Sequence, residues 1–267
     1  MATWIHPPTG TPIAYDDRGQ GTPLVLVHAF PLSREMWKQQ VTGLADTCRV
    51  LTPDVFGFGE SGLPANGWTV DSLADALADW LTGIGVPGPV VFGGLSMGGY
   101  VALAFARRHP DRVMGLILAD TRADADTAEA KANRDKSIAF VEANSAAAQV
   151  DQMLPKMVSE ATRQTRPEVV NAVRAMGAAQ TVPGVVAGLR ALRDRPDSTH
   201  SLASFRFPVL VVVGSDDALT PPALAHAMEE QLPDVTLESI PSAGHLSNLE
   251  APEEFTTAVR RWVEAIS

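Results

Sequence analysis

The 267-residue chain has a single cysteine, Cys48, only two tyrosines, and no apolar run long enough to span a bilayer as a helix. One cysteine excludes an internal disulfide, a cysteine metal cluster and a paired-thiol redox site, and leaves Cys48 a structural thiol. Positive charge is also scarce: 21 Lys and Arg stand against 31 Asp and Glu, a formal net charge of -10. Such a surface repels nucleic acid and anionic lipid, so the expected partner is a small molecule. The first residues, from Met1 to Gly21, lack the basic start and apolar core of a secretion signal. The expectation is a soluble, cytoplasmic protein.

What the chain does have is glycine in a telling place. Gly93-Gly94-Leu95-Ser96-Met97-Gly98-Gly99 lies between an apolar run ending at Phe92 and a helical stretch from Tyr100 to Arg108. A serine between Gly94 and Gly98 fits a sharp strand-to-helix turn, where side chains at the flanking positions would collide with neighbouring chain. That turn lifts the serine hydroxyl clear of a sheet and leaves the Met97 amide at a helix N-terminus, free to bind an oxyanion. By composition alone, Gly-x-Ser-x-Gly turns up in roughly one chain in ten to twenty, so the motif needs its context to carry weight.

The context is a regular alternation. Trp4 to His6 and Ile13 to Asp16 read as an opening hairpin around Pro7-Pro8-Thr9-Gly10. Leu24 to Val27 reads as a buried strand, and Ser33 as the cap of a helix reaching about Leu44. Arg49 to Thr52 is a strand, Asp71 to Ile84 an amphipathic helix, and Val90 to Phe92 and Val113 to Leu118 are strands bracketing the serine turn. From Asp120 to about Phe205 the sequence is helical in spacing and rich in Ala, Arg and Met. The alternation resumes with strands at Val209 to Val213 and Val235 to Ile240 and helices at Pro221 to Leu232 and Glu253 to Ile266. The expected fold is α/β: a mostly parallel sheet covered by helices on both faces, with core segments 1-120 and 206-267 and a helical lid insertion over 121-205. A ligand site belongs at the C-terminal ends of the strands.

Ser96 needs a base to take its proton and an acid to orient that base. Among six histidines, His245 follows the last strand across a short loop, at the edge where Ser96 emerges. His28 follows the first buried strand and suits a loop-shaping role beside Phe30, while His6, His109, His200 and His226 read as exposed polar residues. For the acid, Asp216 and Asp217 lie just past the strand ending at Val213, and Asp120 just past the strand ending at Leu118. Asp217 is preferred, and the other two then serve as capping or turn residues.

These segments in this order resemble the α/β-hydrolase fold, close to its bacterial carboxylesterase and 3-oxoadipate enol-lactonase-like branch. The resemblance rests on His28-Ala29-Phe30-Pro31, Asp54 to Ser61, Gly94 to Gly99, Gly214 to Pro222 and Gly244-His245, and covers almost the whole chain. It implies a triad of Ser96, Asp217 and His245, with oxyanion amides from Phe30 and Met97. Ala29 departs from the glycine usual there. The activity implied is hydrolysis of small carboxylic esters through an acyl-enzyme, with an enol-lactone as the alternative substrate and a non-catalytic ligand-binding protein as the alternative of another class. Arg122, Arg134, Arg163, Arg166 and Arg174 of the insertion are available to meet a substrate carboxylate, and Met153, Leu154, Met157 and Met176 to line an acyl pocket. Gly57 to Gly62 matches a dinucleotide fingerprint literally, but Pro64 follows at once and no helix opens there. No cofactor and no metal are expected.

Overall fold

The computed structural model describes residues 2-267. Eight strands form one sheet: β1 (Ala2–His6), β2 (Thr11–Arg18), β3 (Thr22–Val27), β4 (Cys48–Pro53), β5 (Val90–Leu95), β6 (Val113–Ala119), β7 (Val209–Gly214) and β8 (Val235–Ile240). Their order is β1-β2-β4-β3-β5-β6-β7-β8. The first hairpin and the β2–β4 pair are antiparallel, and all pairs from β4 to β8 are parallel. Because β3 sits between β4 and β5, the chain winds outward to either side of it. The crevice at the carboxyl ends of those strands is where a ligand fits such a sheet.

The helices are α1 (Lys38–Leu44), α2 (Val70–Gly83), α3 (Met97–Arg108), α4 (Ala128–Ala143), α5 (Ala146–Met157), α6 (Glu160–Thr165), α7 (Pro167–Ala178), α8 (Val182–Arg193), α9 (Pro222–Glu229), α10 (Ser247–Glu250) and α11 (Pro252–Ile266). None is long and apolar enough to cross a membrane, among the described residues.

Side chains alternate across the strands and divide the core in two. Val25 and Val27 pack with α2, α3 and α9, whereas Leu24 and Leu26 pack with α1 and α11. Every residue of β5 and β7 is buried, the pattern of strands covered on both faces. Each such aliphatic side chain contributes roughly 1.5–3 kcal/mol by leaving water. α11 shows the complementary logic: Phe255, Val259, Trp262 and Val263 form its buried stripe.

Between β6 and β7 the chain is helical from α4 to α8, with α4 packed on α8 and α5 on α7. Its buried residues join the two clusters of the sheet: Val185 and Leu189 on one side, Val150 and Val173 on the other. The expected cap at Ser33 is absent. Ser33 is extended and a 3-10 turn (Arg34–Trp37) precedes α1, because the Arg34 amide donates to Asp54 (2.7 Å) and the Met36 amide to the Ser33 carbonyl (3.1 Å).

The glycine-rich segment after β4 folds as a closed loop. The Gly57 amide bonds the Gly62 carbonyl at 2.8 Å, and a Cβ on Gly59 would lie 2.1 Å from the Asp54 carboxylate. Asp54 in turn holds the buried Arg34 guanidinium. The segment opens no helix and is occupied by protein groups.

Candidate active site

The elbow at Ser96 is built by steric exclusion. Ser96 joins β5 to α3 with φ 57° and ψ -110°, a conformation that costs about 1–3 kcal/mol for a non-glycine residue. A Cβ on Gly94 would lie 2.4 Å from the Gly98 carbonyl carbon, and one on Gly98 would lie 2.0 Å from the Val27 oxygen. Only glycine lets the strand, the turn and β3 approach this closely. The turn is pinned on both sides, since the Ser96 amide donates to the Ala119 carbonyl (2.9 Å) and the Thr121 hydroxyl to the Ser96 carbonyl (2.9 Å).

Asp217 and His245 hang from the loops after β7 and β8. His245 and Asp217 are each 4% exposed, and His245 Nδ1 lies 2.8 Å from Asp217 Oδ2. Asp217 also accepts the amides of Leu219 (2.7 Å) and Thr220 (2.9 Å) and the Thr220 hydroxyl (2.6 Å). Burial works against the Asp217 charge, yet the imidazole and the Thr220 bonds outweigh it and hold the carboxyl below its ordinary range. Burial likewise works against a charged His245. Its bond to Asp217 and the charges of Asp217, Asp120 and Glu250 win, so the imidazole titrates above 6.5.

Ser96 and His245 line one cavity of about 190 Å³ together with Phe30, Tyr100 and Met153. Among the described residues the His245 ring bonds Asp217 and Thr220 and makes no hydrogen bond to Ser96. Two amides complete the group. Met97 N–H is the first of α3 and has no intrahelical acceptor. Phe30 N–H, in the loop after β3, has no backbone acceptor among the described residues. His28 fixes that loop from beneath: fully buried, it meets the Ala29 carbonyl through Nδ1 and accepts the Val55 amide through Nε2, both at 2.9 Å. The Ala29 methyl is accommodated at 0% exposure, with its amide on the Met36 sulfur at 3.1 Å. Among the described residues no cluster of His, Cys, Asp and Glu is gathered for a metal.

A family model described as the alpha/beta hydrolase fold matches residues 22–252. The chain belongs to the alpha/beta hydrolase family. It is 33% identical over 86% of its length to a pimeloyl-[acyl-carrier protein] methyl ester esterase of Aromatoleum aromaticum, of which 94% is covered. It is 27% identical over 88% of its length to 3-oxoadipate enol-lactonase 2 of Acinetobacter baylyi, of which 86% is covered. Among solved structures, a thermophilic esterase from Thermogutta terrifontis, in its malate-bound form, superposes with a TM-score of 0.94 at 42% identity, covering 96% of this chain and 94% of that one.

In this alpha/beta hydrolase several sequence expectations need correction. Asp120 lies at a bend, and its part goes beyond the expected capping or turn role. At 0% exposure and φ 43°, it accepts the Gly214 amide (2.8 Å) with one oxygen and the Ser247 amide (3.3 Å) and hydroxyl with the other. It thereby ties β6 to the loops that carry Asp217 and His245. His6 is 8% exposed, packed between Trp4 and Phe56, because β1 folds its inner face onto the loop after β4. Of the four apolar insertion residues only Met153 lines the cavity, while Leu154 and Met157 are core. Of the five arginines only Arg122 and Arg134 do, whereas Arg166 holds the Glu250 carbonyl and Arg174 pairs with Asp151. Sequence reasoning missed Glu250. Its buried carboxylate accepts the amides of Gly244 and Ser159, joining the His245 loop to the insertion.

Proposed function

We propose that this alpha/beta hydrolase cleaves small carboxylic esters through an acyl-enzyme on Ser96. The observation that carries the reading is one cavity bounded by the strained Ser96, the Asp217-bonded His245 and the Phe30 segment. Nδ1–H of His245 donates to Asp217, which directs Nε2 toward the serine and favours the imidazolium that forms as Ser96 attacks. The carbonyl oxygen, now an oxyanion, takes the N–H groups of Phe30 and Met97. His245 returns the proton to the leaving alcohol, and water repeats the sequence on the acyl-enzyme. A cavity of about 190 Å³ falls below the usual 300–1,000 Å³ of small-molecule sites, which supports a short substrate.

The enol-lactonase relative supports a lactone as a second substrate form. The same groups serve there, with the leaving oxygen tethered to the acyl chain. The soluble, cytoplasmic setting and the lid role of 121-205 belong to the same proposal.

The test is turnover of 4-nitrophenyl acetate and butyrate. Ser96→Ala and His245→Ala are each expected to lower kcat by roughly a million-fold. Activity retained in either variant overturns the mechanism, and no turnover by the unaltered protein favours a ligand-binding role.

A further inference from the structure

The cavity that Ser96 lines is also lined by two arginines, in a chain whose net charge is -10. Arg122 and Arg134 both line it, and behind them stands Arg195, with a side chain 2% exposed. The three guanidinium groups face two carboxylates, Asp124 and Asp126, which leaves one positive charge in the cluster.

The three arginines are not equivalent. Arg195 is spent on protein: it bonds Asp126 (2.6 Å), the Leu192 carbonyl (3.0 Å) and the Asp124 carbonyl (2.9 Å), and its guanidinium carbon lies 4.1 Å from the centre of the Tyr100 ring. Arg134 gives only Nε to Asp126, at 3.1 Å, and its two terminal nitrogens have no protein acceptor among the described residues. Arg122 makes only long contacts, 3.3 Å to Asp124 and 3.5 Å to Asp126 and the Ala125 carbonyl. Ala130, one turn before Arg134 on α4, also lines the cavity with a small side chain.

A neutral chain in this space strips water from those N–H groups and returns nothing, whereas a carboxylate takes two of them in parallel. We infer that Arg134, assisted by Arg122, forms a carboxylate subsite, so that the substrate is a short ester or lactone carrying a free carboxylate besides its scissile bond. This inference rests on the serine-esterase reading above. Arg195 holds Asp126, Asp126 orients Arg134, and Arg134 binds the substrate.

The experiment compares matched pairs that differ by a carboxylate in place of a methyl. Mono-4-nitrophenyl adipate against 4-nitrophenyl hexanoate places it in the acyl half, and 4-acetoxybutanoate against butyl acetate places it in the alcohol half. In at least one pair the acid is expected to show roughly tenfold higher kcat/KM than its neutral partner. Arg134→Gln and Arg122→Gln lower that ratio, the first more, and Arg134→Lys restores part of it because charge survives without the fork. If the neutral esters are turned over and neither acid is preferred by the unaltered protein, the subsite does not exist. The same conclusion follows if the preference is there but unmoved in a folded Arg134→Gln variant. If no ester is turned over at all, it is the esterase reading that fails.

Discussion

Two buried carboxylates end adjacent parallel strands in this hydrolase, and they behave in opposite ways. Asp217, past β7, meets an imidazole, a hydroxyl and two amides, and its carboxyl titrates below the ordinary range. Asp120, past β6, accepts two amides and a hydroxyl and forms no ion pair among the described residues. Burial first, and the neighbouring charge of Asp217 second, push it up to about 7. The difference teaches that position at the sheet edge does not set the charge state of a buried carboxylate. The partner does: one carboxylate faces a base that can take up charge, and the other braces the loops that present that pair.

The sharpest way to break this comparison is to remove each charge in turn. Asp217→Asn is expected to lower kcat about ten-thousandfold on 4-nitrophenyl butyrate, since the amide leaves the His245 tautomer and the imidazolium unsupported. Asp120→Asn is expected to cost roughly tenfold, because it loosens a brace without touching the reacting groups. If the two losses exchange places, the roles assigned to the two aspartates are reversed. The pH profile of Asp120→Asn then sharpens the contrast. Ionised Asp120 raises the His245 pKa, alongside Asp217 and Glu250, so its removal moves the acid limb of kcat/KM to lower pH. A limb that moves upward contradicts the assignment. The smallest effect is on stability. Asp120 titrates at about 7 in the fold and near 3.9 unfolded, so its stabilising protonation is complete below about pH 4 and is lost as pH rises through 7. Thermal unfolding of Asp120→Asn followed from pH 4 to 8 is expected to show a shallower decline than the parent.

The sequence made the frame legible because strand periodicity, glycine geometry and strand ends are local. The Gly94–Gly98 pair announces its turn through five residues, and Asp217 and His245 each follow an apolar run directly. Asp120 was visible as a residue but not as a brace, since its partners lie 94 and 127 positions away. Glu250 likewise depends on Ser159, which is 91 positions distant. The arginines show the same limit. Five of the eight in the insertion are candidates for a substrate carboxylate by sequence, but only the packing of α4 against α8 and the turn before it decides that two of those reach the cavity. His6 misled for a related reason: a polar residue on a first strand looks exposed until the loop after β4 closes over it.

The claim on which the account depends is that Ser96 is the nucleophile. Incubation with a fluorophosphonate, followed by peptide mass spectrometry, tests it without assuming a substrate. One phosphonyl adduct is expected, on Ser96, and none on the Ser96→Ala variant. An unmodified Ser96 in protein that still hydrolyses 4-nitrophenyl butyrate would contradict it.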